Sequence, residues 1–367
     1  MTDADPAPAP VRAGIIGLSW IAADPAGTAS WSPLGTAPPY SHASAMAAVG
    51  NIDVKAVCDI QPEAGNQFVD RWRHLWPTVQ AFDDVDAMLA TPLDLVSVVT
   101  PDHLHGSMVG KCIDAGVKMV FSEKPFTTSL AEADHLLDRI SLAGTRVSIN
   151  HTWRWRPEVA EAHGIISRGD LGPLSHITIE AGGPRAMLFR NLSHFIDLAL
   201  HLAGKQPEWV IAELEDGTGE YGLSYAGEGG SDPALDPGAS ILIGFSGGIR
   251  AFITGLKASL PDVSVQVLCR DGRVSIDGLG ARTTTVPRTT DGTPASVGGP
   301  AIRPLRPRFT ASGMEAGLAD LIDSFHRGAE PSGSAQSARR TVAVIDAILR
   351  SHAVGSARVE VAGRPPS

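Results

Sequence analysis

Short apolar runs alternate with amphipathic stretches through the first 150 residues of the chain. Five runs have the length of buried strands, and they cover residues 11–17, 54–60, 93–100, 117–121 and 146–150. Stretches with helical spacing of apolar residues lie between them, at 64–74, 105–115 and 130–143. Strands that alternate with helices of about 10–15 residues indicate βαβ units. We therefore predict a parallel sheet with helices on both faces, because the strands of such a sheet are apolar throughout.

The pattern changes after residue 150, where strands with alternating polar and apolar residues follow one another. Ser246-Gly247-Gly248 and Asp271-Gly272 separate two pairs of such strands and are typical of hairpin turns. Helical patterns cover residues 157–168, 192–203, 312–328 and 336–353. Antiparallel strands combined with helices predict a second domain of the α+β class.

Three stretches have compositions that indicate irregular chain. The acidic, proline-rich start at 1–10 predicts a disordered tail, and two stretches at 215–239 and 283–308 are rich in Gly, Pro and Thr, which is typical of surface loops. We accordingly place the first domain at residues 11–150 and the second at 151–361.

Composition and charge narrow the class of protein. The chain has 367 residues, 43% of them hydrophobic, and a net charge of −10, which disfavours nucleic acid and anionic membrane as partners. No apolar run approaches the roughly 20 residues that span a bilayer. Cys58, Cys112 and Cys269 are too scattered for a metal site or a disulfide framework. These features predict a cytoplasmic protein without a metal.

A glycine turn follows the first apolar run. Its sequence, Gly17-Leu18-Ser19-Trp20-Ile21-Ala22, fits the dinucleotide fingerprint G-x-G-x-x-G/A with a serine at the second glycine. Small residues there let backbone amides approach a pyrophosphate, so Gly17, Ser19, Trp20 and Ile21 are candidate cofactor contacts. The same sequence also fits an ordinary turn at a strand end.

Asp59 ends the second run and indicates which dinucleotide binds. A carboxylate there accepts hydrogen bonds from ribose hydroxyls and repels a 2′-phosphate, which predicts NAD in preference to NADP. An aspartate at this place could also cap the following helix. Gly17 and Asp59 are separated by an unusually long segment, and we interpret residues 24–41 as an insertion that is either a passive loop or a lid over the cofactor.

Polar residues cluster where the third and fourth runs end. Thr100, Pro101 and His105 follow the third run, and Glu123 and Lys124 follow the fourth. Ligands of an open parallel sheet bind beyond the carboxyl ends of its strands. We therefore predict that these residues contact the cofactor, although a charged pair before Pro125 also fits a surface turn.

These motifs resemble those of the Gfo/Idh/MocA oxidoreductase family. The resemblance rests on "GIIG", "VCD", "TPDHLH", "AGVKMVFSEKP", "RWRPE", "SRGDLG" and "SHFIDLALHLAG" and extends along nearly the whole chain. It implies an NAD(P)-binding Rossmann domain, then a substrate domain with an open-faced, largely antiparallel sheet. It also implies substrates that are mostly sugars, cyclitols and their derivatives, and it assigns Lys124 to contact both the nicotinamide ribose and the substrate.

The resemblance gives His194 the role of acid or base. His194, Asp197 and His201 have the spacing of one helix face, which is otherwise typical of a solvated surface.

Many family members carry aspartate four residues before this histidine, where this chain has Arg190 followed by Asn191. A cation there favours neutral imidazole. Arg190 is also suited to bind an anionic group, and we predict substrate contacts for Arg190 and Asn191.

"HTWRWRPE", residues 151–158, follows the fifth run at the predicted domain junction. Arg154 and a neighbouring tryptophan are candidates for the substrate cavity, since aromatic faces pack on sugar rings. Their alternative role is to hold the two domains together.

The sequence thus predicts an NAD-dependent oxidoreductase that acts on a carbohydrate-like alcohol or ketone through Lys124 and His194. Two alternatives stay open: an enzyme that retains NAD and cleaves a sugar by oxidation and elimination, and a non-catalytic NAD-sensing regulator. An exposed sheet face in the second domain also predicts a homo-oligomer, either a dimer or a tetramer.

Overall fold

A computed structural model describes residues 9–24, 41–215, 236–278, 280–285, 299–306, 311 and 313–364. Most of the predicted tail, of the insertion at 24–41 and of the two predicted loops therefore lies outside the described residues. Within the second of these loops, Thr283–Thr285 belong to a strand and Ala301–Pro304 form another, so the loop prediction was wrong there.

The apolar runs of the first 150 residues form a parallel sheet of six strands, as predicted. The strands are β1 (Val11–Ile16), β2 (Ile52–Cys58), β3 (Gln80–Phe82), β4 (Leu95–Val98), β5 (Met119–Ser122) and β6 (Arg146–Ile149). Their order is β3-β2-β1-β4-β5-β6, and every pair is parallel. The order reverses between β1 and β4, which opens a crevice beyond the carboxyl ends of the strands.

Helices cover both faces of this sheet. They are α1 (Trp20–Ala23), α2 (His42–Val49), α3 (Pro62–Trp72), α4 (Val85–Leu89), α5 (His105–Asp114) and α6 (Leu130–Ala143). Two apolar clusters fill the spaces between helices and sheet, one on each face. Helix α6 ends at Gly144, whose left-handed φ of 69° favours glycine.

The second sheet has nine strands and is mostly antiparallel, as predicted. They are β7 (Leu174–Ala181), β8 (Pro207–Leu214), β9 (Ala239–Phe245), β10 (Arg250–Gly255), β11 (Val263–Cys269), β12 (Gly272–Asp277), β13 (Gly280–Thr285), β14 (Ala301–Pro304) and β15 (Val359–Glu360). The order is β14-β13-β12-β11-β7-β10-β9-β8-β15, and only the pair of β7 and β10 is parallel within these described strands. The two predicted hairpin turns connect β9 to β10 and β11 to β12.

Helices α7 (Pro157–Arg168), α8 (Ser193–Ala203), α9 (Gly313–His326) and α10 (Ala335–Ala353) complete the fold. The inner face of the second sheet packs with α7, α8 and the second half of α10 in one apolar cluster. Helix α9 is not part of this cluster, because Met314, Leu318 and Leu321 pack with the first sheet. Residues that follow most of the second sheet in the sequence therefore contribute to the core of the first domain. Among the described helices, none has both the length and the apolar character needed to cross a bilayer.

Candidate functional site

The turn after β1 requires its glycine. Gly17 has φ of 87°, and a Cβ atom there would lie 2.6 Å from the carbonyl oxygen of Val99, which follows β4. Its backbone amide donates to the carbonyl oxygen of Cys58 at 2.8 Å, so the turn is attached to the ends of two neighbouring strands. Ser19 occupies the N-cap position of the short helix α1 without a capping hydrogen bond from its side chain, and Trp20 is half exposed. The predicted residues therefore lie at the strand-order reversal.

Asp59 fixes this turn from the end of β2. Its Oδ2 accepts the backbone N–H of Leu18 at 2.8 Å, and its Oδ1 accepts the backbone N–H of Gln61 at 2.9 Å. The second contact is a local turn of the kind that aspartate forms with the residue two positions later. The carboxylate thus holds the glycine turn and the start of α3 together beside the crevice.

Thr100, Pro101 and His105 occupy the end of β4. The side chain of Thr100 is buried at Oγ1, which has no hydrogen-bond partner in the described part of the chain. The ring nitrogens of His105 lie 2.7 Å from the carbonyl oxygen of Pro125 and 2.9 Å from that of Thr100. His105 therefore connects the ends of β4 and β5, and its buried ring faces protein carbonyls instead of an open contact surface.

Glu123 belongs to a buried polar network that joins α2 to three strand ends. Its Oε1 accepts from His42 Nε2 at 3.0 Å and from Asn150 Nδ2 at 2.6 Å. The other ring nitrogen of His42 lies 3.0 Å from Ser97 Oγ, which donates to it when Nε2 carries the proton. Burial alone would raise the pKa of Glu123, but His42, Lys124 and Asn150 together lower that pKa to about 2. Glu123 is therefore an anion with fixed partners.

The alternative of a surface turn at Glu123 and Lys124 is wrong. Glu123 is buried and Lys124 is half-buried, and the Lys124–Pro125 peptide bond is cis. Lys124 Nζ donates to the backbone carbonyl oxygen of Arg190 at 2.7 Å, which crosses from the first domain to the second. Burial lowers the pKa of Lys124, although Asp102 and Glu123 oppose that shift.

His194 stands in the first turn of α8, directly after the segment that Lys124 contacts. A single π-helical turn, Leu188–Leu192, precedes α8, and such turns are frequent at functional sites. His194 Nδ1 is buried and has no hydrogen-bond partner among the described residues. Burial, followed by the charges of Lys124 and His151, holds the pKa of His194 well below its usual value. Neutral imidazole is the form that accepts a proton.

The polar stripe of α8 is not a solvated face. Asp197 is fully buried and forms an ion pair with Arg154, whose Nε donates to Asp197 Oδ2 at 2.9 Å and whose Nη2 donates to Oδ1. Arg154 also donates to the carbonyl oxygen of Ser332 and to Ser337 Oγ. Trp153 packs edge-on against Phe195, with ring centroids 4.9 Å apart. These contacts join the turn after β6 to α8 and to the start of α10, and they occupy the guanidinium of Arg154.

Two residues near the site were missed by sequence reasoning. His151 is buried between Asp197 and His194, with Nδ1 3.5 Å from Asp197 Oδ1 and its ring perpendicular to that of His194. Asp236 accepts the backbone N–H groups of Phe189 and Arg190, both at 3.1 Å. Burial raises the pKa of Asp236 to about 6.

The predicted substrate contacts Arg190 and Asn191 lie in the π-helical turn itself. Arg190 is half-buried, and its backbone carries the contacts to Lys124 and Asp236. Asn191 is half-buried too, and its Nδ2 donates to the carbonyl oxygen of Arg185. Both residues therefore flank Lys124 and His194, with Asn191 held by the loop before it.

The crevice has groups suited to a nicotinamide dinucleotide. Gly17 leaves space for a close backbone approach at the turn, Asp59 places a carboxylate at the end of β2, and Thr100 Oγ1 is buried without a hydrogen-bond partner among the described residues. Ser19, Trp20, Ile21 and Pro101 border the same turn and strand end. Within the described residues, no group of three His, Cys, Asp or Glu side chains has the arrangement of a metal site.

The six-stranded sheet with its strand-order reversal and glycine turn defines a dinucleotide-binding Rossmann protein. The first domain belongs to the Gfo/Idh/MocA oxidoreductase family: residues 11–151 match the profile described as "Oxidoreductase family, NAD-binding Rossmann fold".

Two curated relatives come from Bacillus subtilis. One, scyllo-inositol 2-dehydrogenase (NAD(+)), is 32% identical over 113 residues, which are 30% of this chain and 33% of the relative. The other, scyllo-inositol 2-dehydrogenase (NADP(+)), is 28% identical over 155 residues, which are 38% of this chain and 43% of the relative. The chain thus spans less than half the length of these relatives.

A solved structure extends the comparison to the second domain. An oxidoreductase domain protein from Kribbella flavida superposes with a TM-score of 0.76 over 97% of this chain and 100% of that chain, at 17% identity. At this identity the likeness establishes a shared fold across both domains.

Proposed function

We propose that the protein is an NAD-dependent oxidoreductase that acts on an alcohol or ketone of a carbohydrate-like substrate. The observation that carries the proposal is the contact between Lys124 Nζ and the carbonyl oxygen of Arg190. This contact links the strand end that borders the dinucleotide crevice to the turn that leads into His194. The substrate class is supported by the two relatives that act on scyllo-inositol, a cyclic polyol.

Lys124 and His194 divide the chemistry between them. The half-buried ammonium of Lys124 polarises the reacting oxygen and stabilises the negative charge that develops on it, an effect that is strong where water is excluded. Neutral His194 accepts the hydroxyl proton, or returns it when the reaction runs towards the alcohol. The nicotinamide, when bound, accepts or donates the hydride. Arg190 and Asn191 flank the substrate, and Arg190 would favour one that carries an anionic group.

The preference for NAD rests on Asp59, whose carboxylate at the end of β2 would repel a 2′-phosphate. The two relatives differ in this respect, since one uses NAD(+) and the other NADP(+). We also propose that the protein acts in the cytoplasm as a homo-oligomer. The outward face of the second sheet supports self-association through Phe252, which is 43% exposed on β10.

Turnover with purified protein tests the proposal. Absorbance of reduced nicotinamide and product analysis should be followed together during incubation with inositols, sugars and sugar acids. Reduced nicotinamide that accumulates with an oxidised product supports the proposal. Cleavage of a glycosidic bond without reduced nicotinamide would replace it by the oxidation–elimination reaction, and NAD binding without any product would favour a regulator.

Lys124→Ala should lower kcat by about 10²–10³-fold, the usual result of removing one electrostatic stabiliser. The dissociation constant of NAD should change much less, because the glycine turn and Asp59 provide most of that binding. His194→Ala should be similarly damaging, and the double variant little worse, since paired groups act as a unit. Lys205→Ala is the matched control, as Lys205 is exposed in the loop after α8. Normal turnover by folded Lys124→Ala would refute the catalytic role.

A further inference from the structure

His151 is buried beside the proposed base and has no role in the chemistry described so far. It follows β6 directly, through Asn150, and its ring is 2% exposed. Its Nδ1 lies 3.5 Å from Asp197 Oδ1, and its Nε2 has no hydrogen-bond partner in the described part of the chain. A buried polar atom without a partner is costly, which suggests that Nε2 is kept for a contact made during function.

His194 provides the matching group. The two imidazole rings are perpendicular, with centroids 5.9 Å apart, and His194 Nδ1 is also buried without a hydrogen-bond partner among the described residues. Two adjacent rings therefore each carry one buried nitrogen that no described residue satisfies. A hydrogen bond between these nitrogens, either direct or through one water molecule, satisfies both at once, and such contacts often tighten only when substrate binds.

We propose that His151 is a positioning residue for His194. The Asp197 carboxylate, 3.5 Å from His151 Nδ1, favours a proton on that nitrogen, which leaves the lone pair of His151 Nε2 to accept the Nδ1–H of His194. The Nε2 lone pair of His194 is then the one that receives the substrate proton. This role rests on the proposed function of His194, and it supplies what the missing aspartate at position 190 would otherwise provide.

The charges around the pair favour two neutral rings, each of which carries one ring proton. Burial lowers the pKa of His151 to about 4, and Asp197 opposes this shift while Arg154 adds to it. The groups that bear on the two rings are Lys124 and Glu123 at the end of β5, Arg154 after β6, and Asp197 on α8. Asp197 already pairs with Arg154, so its charge is largely compensated. The carboxylate therefore orients the His151 ring without adding a second proton to it.

The tautomer of His194 tests the proposal without any substrate. Proteins labelled with ¹⁵N-histidine should give, for His194, the nitrogen shifts of the neutral form with the proton on Nδ1, assigned by the signal that His194→Gln removes. In His151→Phe, which retains a flat ring but has no acceptor, this preference should disappear. A wild-type His194 with its proton on Nε2, or an unchanged tautomer in His151→Phe, would overturn the proposal.

Turnover provides the second measurement. His151→Phe should lower kcat about 10- to 100-fold, the effect of losing one hydrogen bond to a group that becomes charged, with KM and NAD affinity nearly unchanged. Since the imidazolium of His194 loses its acceptor, its pKa falls, and the acid limb of the kcat–pH profile should move to lower pH. His151→Gln, whose side-chain oxygen can accept, should recover part of the activity.

His163→Gln is the control, because His163 stacks on His201 at the far end of α8 and lies outside the site. It should leave the tautomer of His194 and kcat unchanged. A fall in kcat with His163→Gln as large as the fall with His151→Phe would overturn the proposal. If Lys124→Ala kept full turnover while the tautomer of His194 responded to His151, the proposed function would fail and the coupling of the two rings would stand.

Discussion

Glu123 and Lys124 are neighbours in sequence with opposite environments. Glu123 points into the first domain, where His42 and Asn150 both donate to one of its oxygens. Lys124 points across to the second domain and donates to the carbonyl oxygen of Arg190. Since an unpaired buried charge is costly, the fixed carboxylate balances the ammonium beside it. This pair therefore holds one positive charge at the crevice without leaving an unpaired anion.

At the residue scale, Asp59 links cofactor choice to the shape of the glycine turn. Asp59→Asn retains an oxygen that can accept from Leu18, but removes the charge that repels a 2′-phosphate. We expect the ratio of NADP to NAD dissociation constants to fall by about tenfold, since one charge contact near a protein surface is worth a few kcal/mol at most. Binding titrations with both dinucleotides measure this ratio.

Asp59→Ala separates the two roles of the carboxylate. It should shift the preference in the same direction, and it should also weaken both dinucleotides because the backbone N–H groups of Leu18 and Gln61 lose their acceptor. Equal or tighter NADP binding by the unaltered protein would contradict the proposed preference.

At the element scale, Arg154 and Asp197 hold three pieces of the second domain's edge together. Arg154 belongs to the 3₁₀ turn Thr152–Trp155, Asp197 to α8, and Ser337 to α10. Both side chains of the ion pair are buried, and removing one partner of such a pair leaves an uncompensated charge. The main consequence of losing Arg154 should therefore be lower stability.

Arg154→Met should lower the free energy of unfolding by about 3–5 kcal/mol, measured by denaturant titration. The double variant Arg154→Met/Asp197→Leu should recover much of this loss, because no buried charge is left alone. Arg168→Met is the control, as the pair of Arg168 and Asp170 is half exposed and should contribute about 1 kcal/mol or less. A higher KM without loss of stability would instead support direct substrate binding by Arg154.

Sequence patterns predicted the elements that are long enough to show an apolar run or a periodic pattern in their own residues. The long apolar runs became β1, β2, β4, β5 and β6, because burial on both faces leaves few polar positions in a strand. Strand β3 and helix α4 were missed, since three and five residues are too short for a periodic pattern.

The candidate site was predicted only where a motif is local. Lys124 and His194 lie in recognisable stretches, and the structure brings their segments together. His42 reaches Ser97 and Glu123, which are 55 and 81 positions away, and no spacing in the sequence signals such contacts. Asp236 likewise approaches Arg190 from a distant part of the chain, so its place in the site depends on the tertiary fold.

At the scale of the whole molecule, the last two helices join the domains. Apolar residues of α9 complete the core on one face of the first sheet. Helix α10 contributes Ala338 and Val342 to the core on the other face, and Val344 and Ile348 to the core of the second domain. These two helices therefore give the two domains a shared apolar junction.

Leu318→Ala tests this junction. Leu318 is 1% exposed on α9 and packs in the core of the first domain, although it follows the whole second domain in sequence. Truncating it should lower the free energy of unfolding by about 2–5 kcal/mol, as for other buried leucines. Leu142→Ala is the matched control, because Leu142 is 89% exposed on α6 and should change stability by less than about 0.5 kcal/mol. Equal, small losses for both variants would mean that α9 does not belong to the first domain's core.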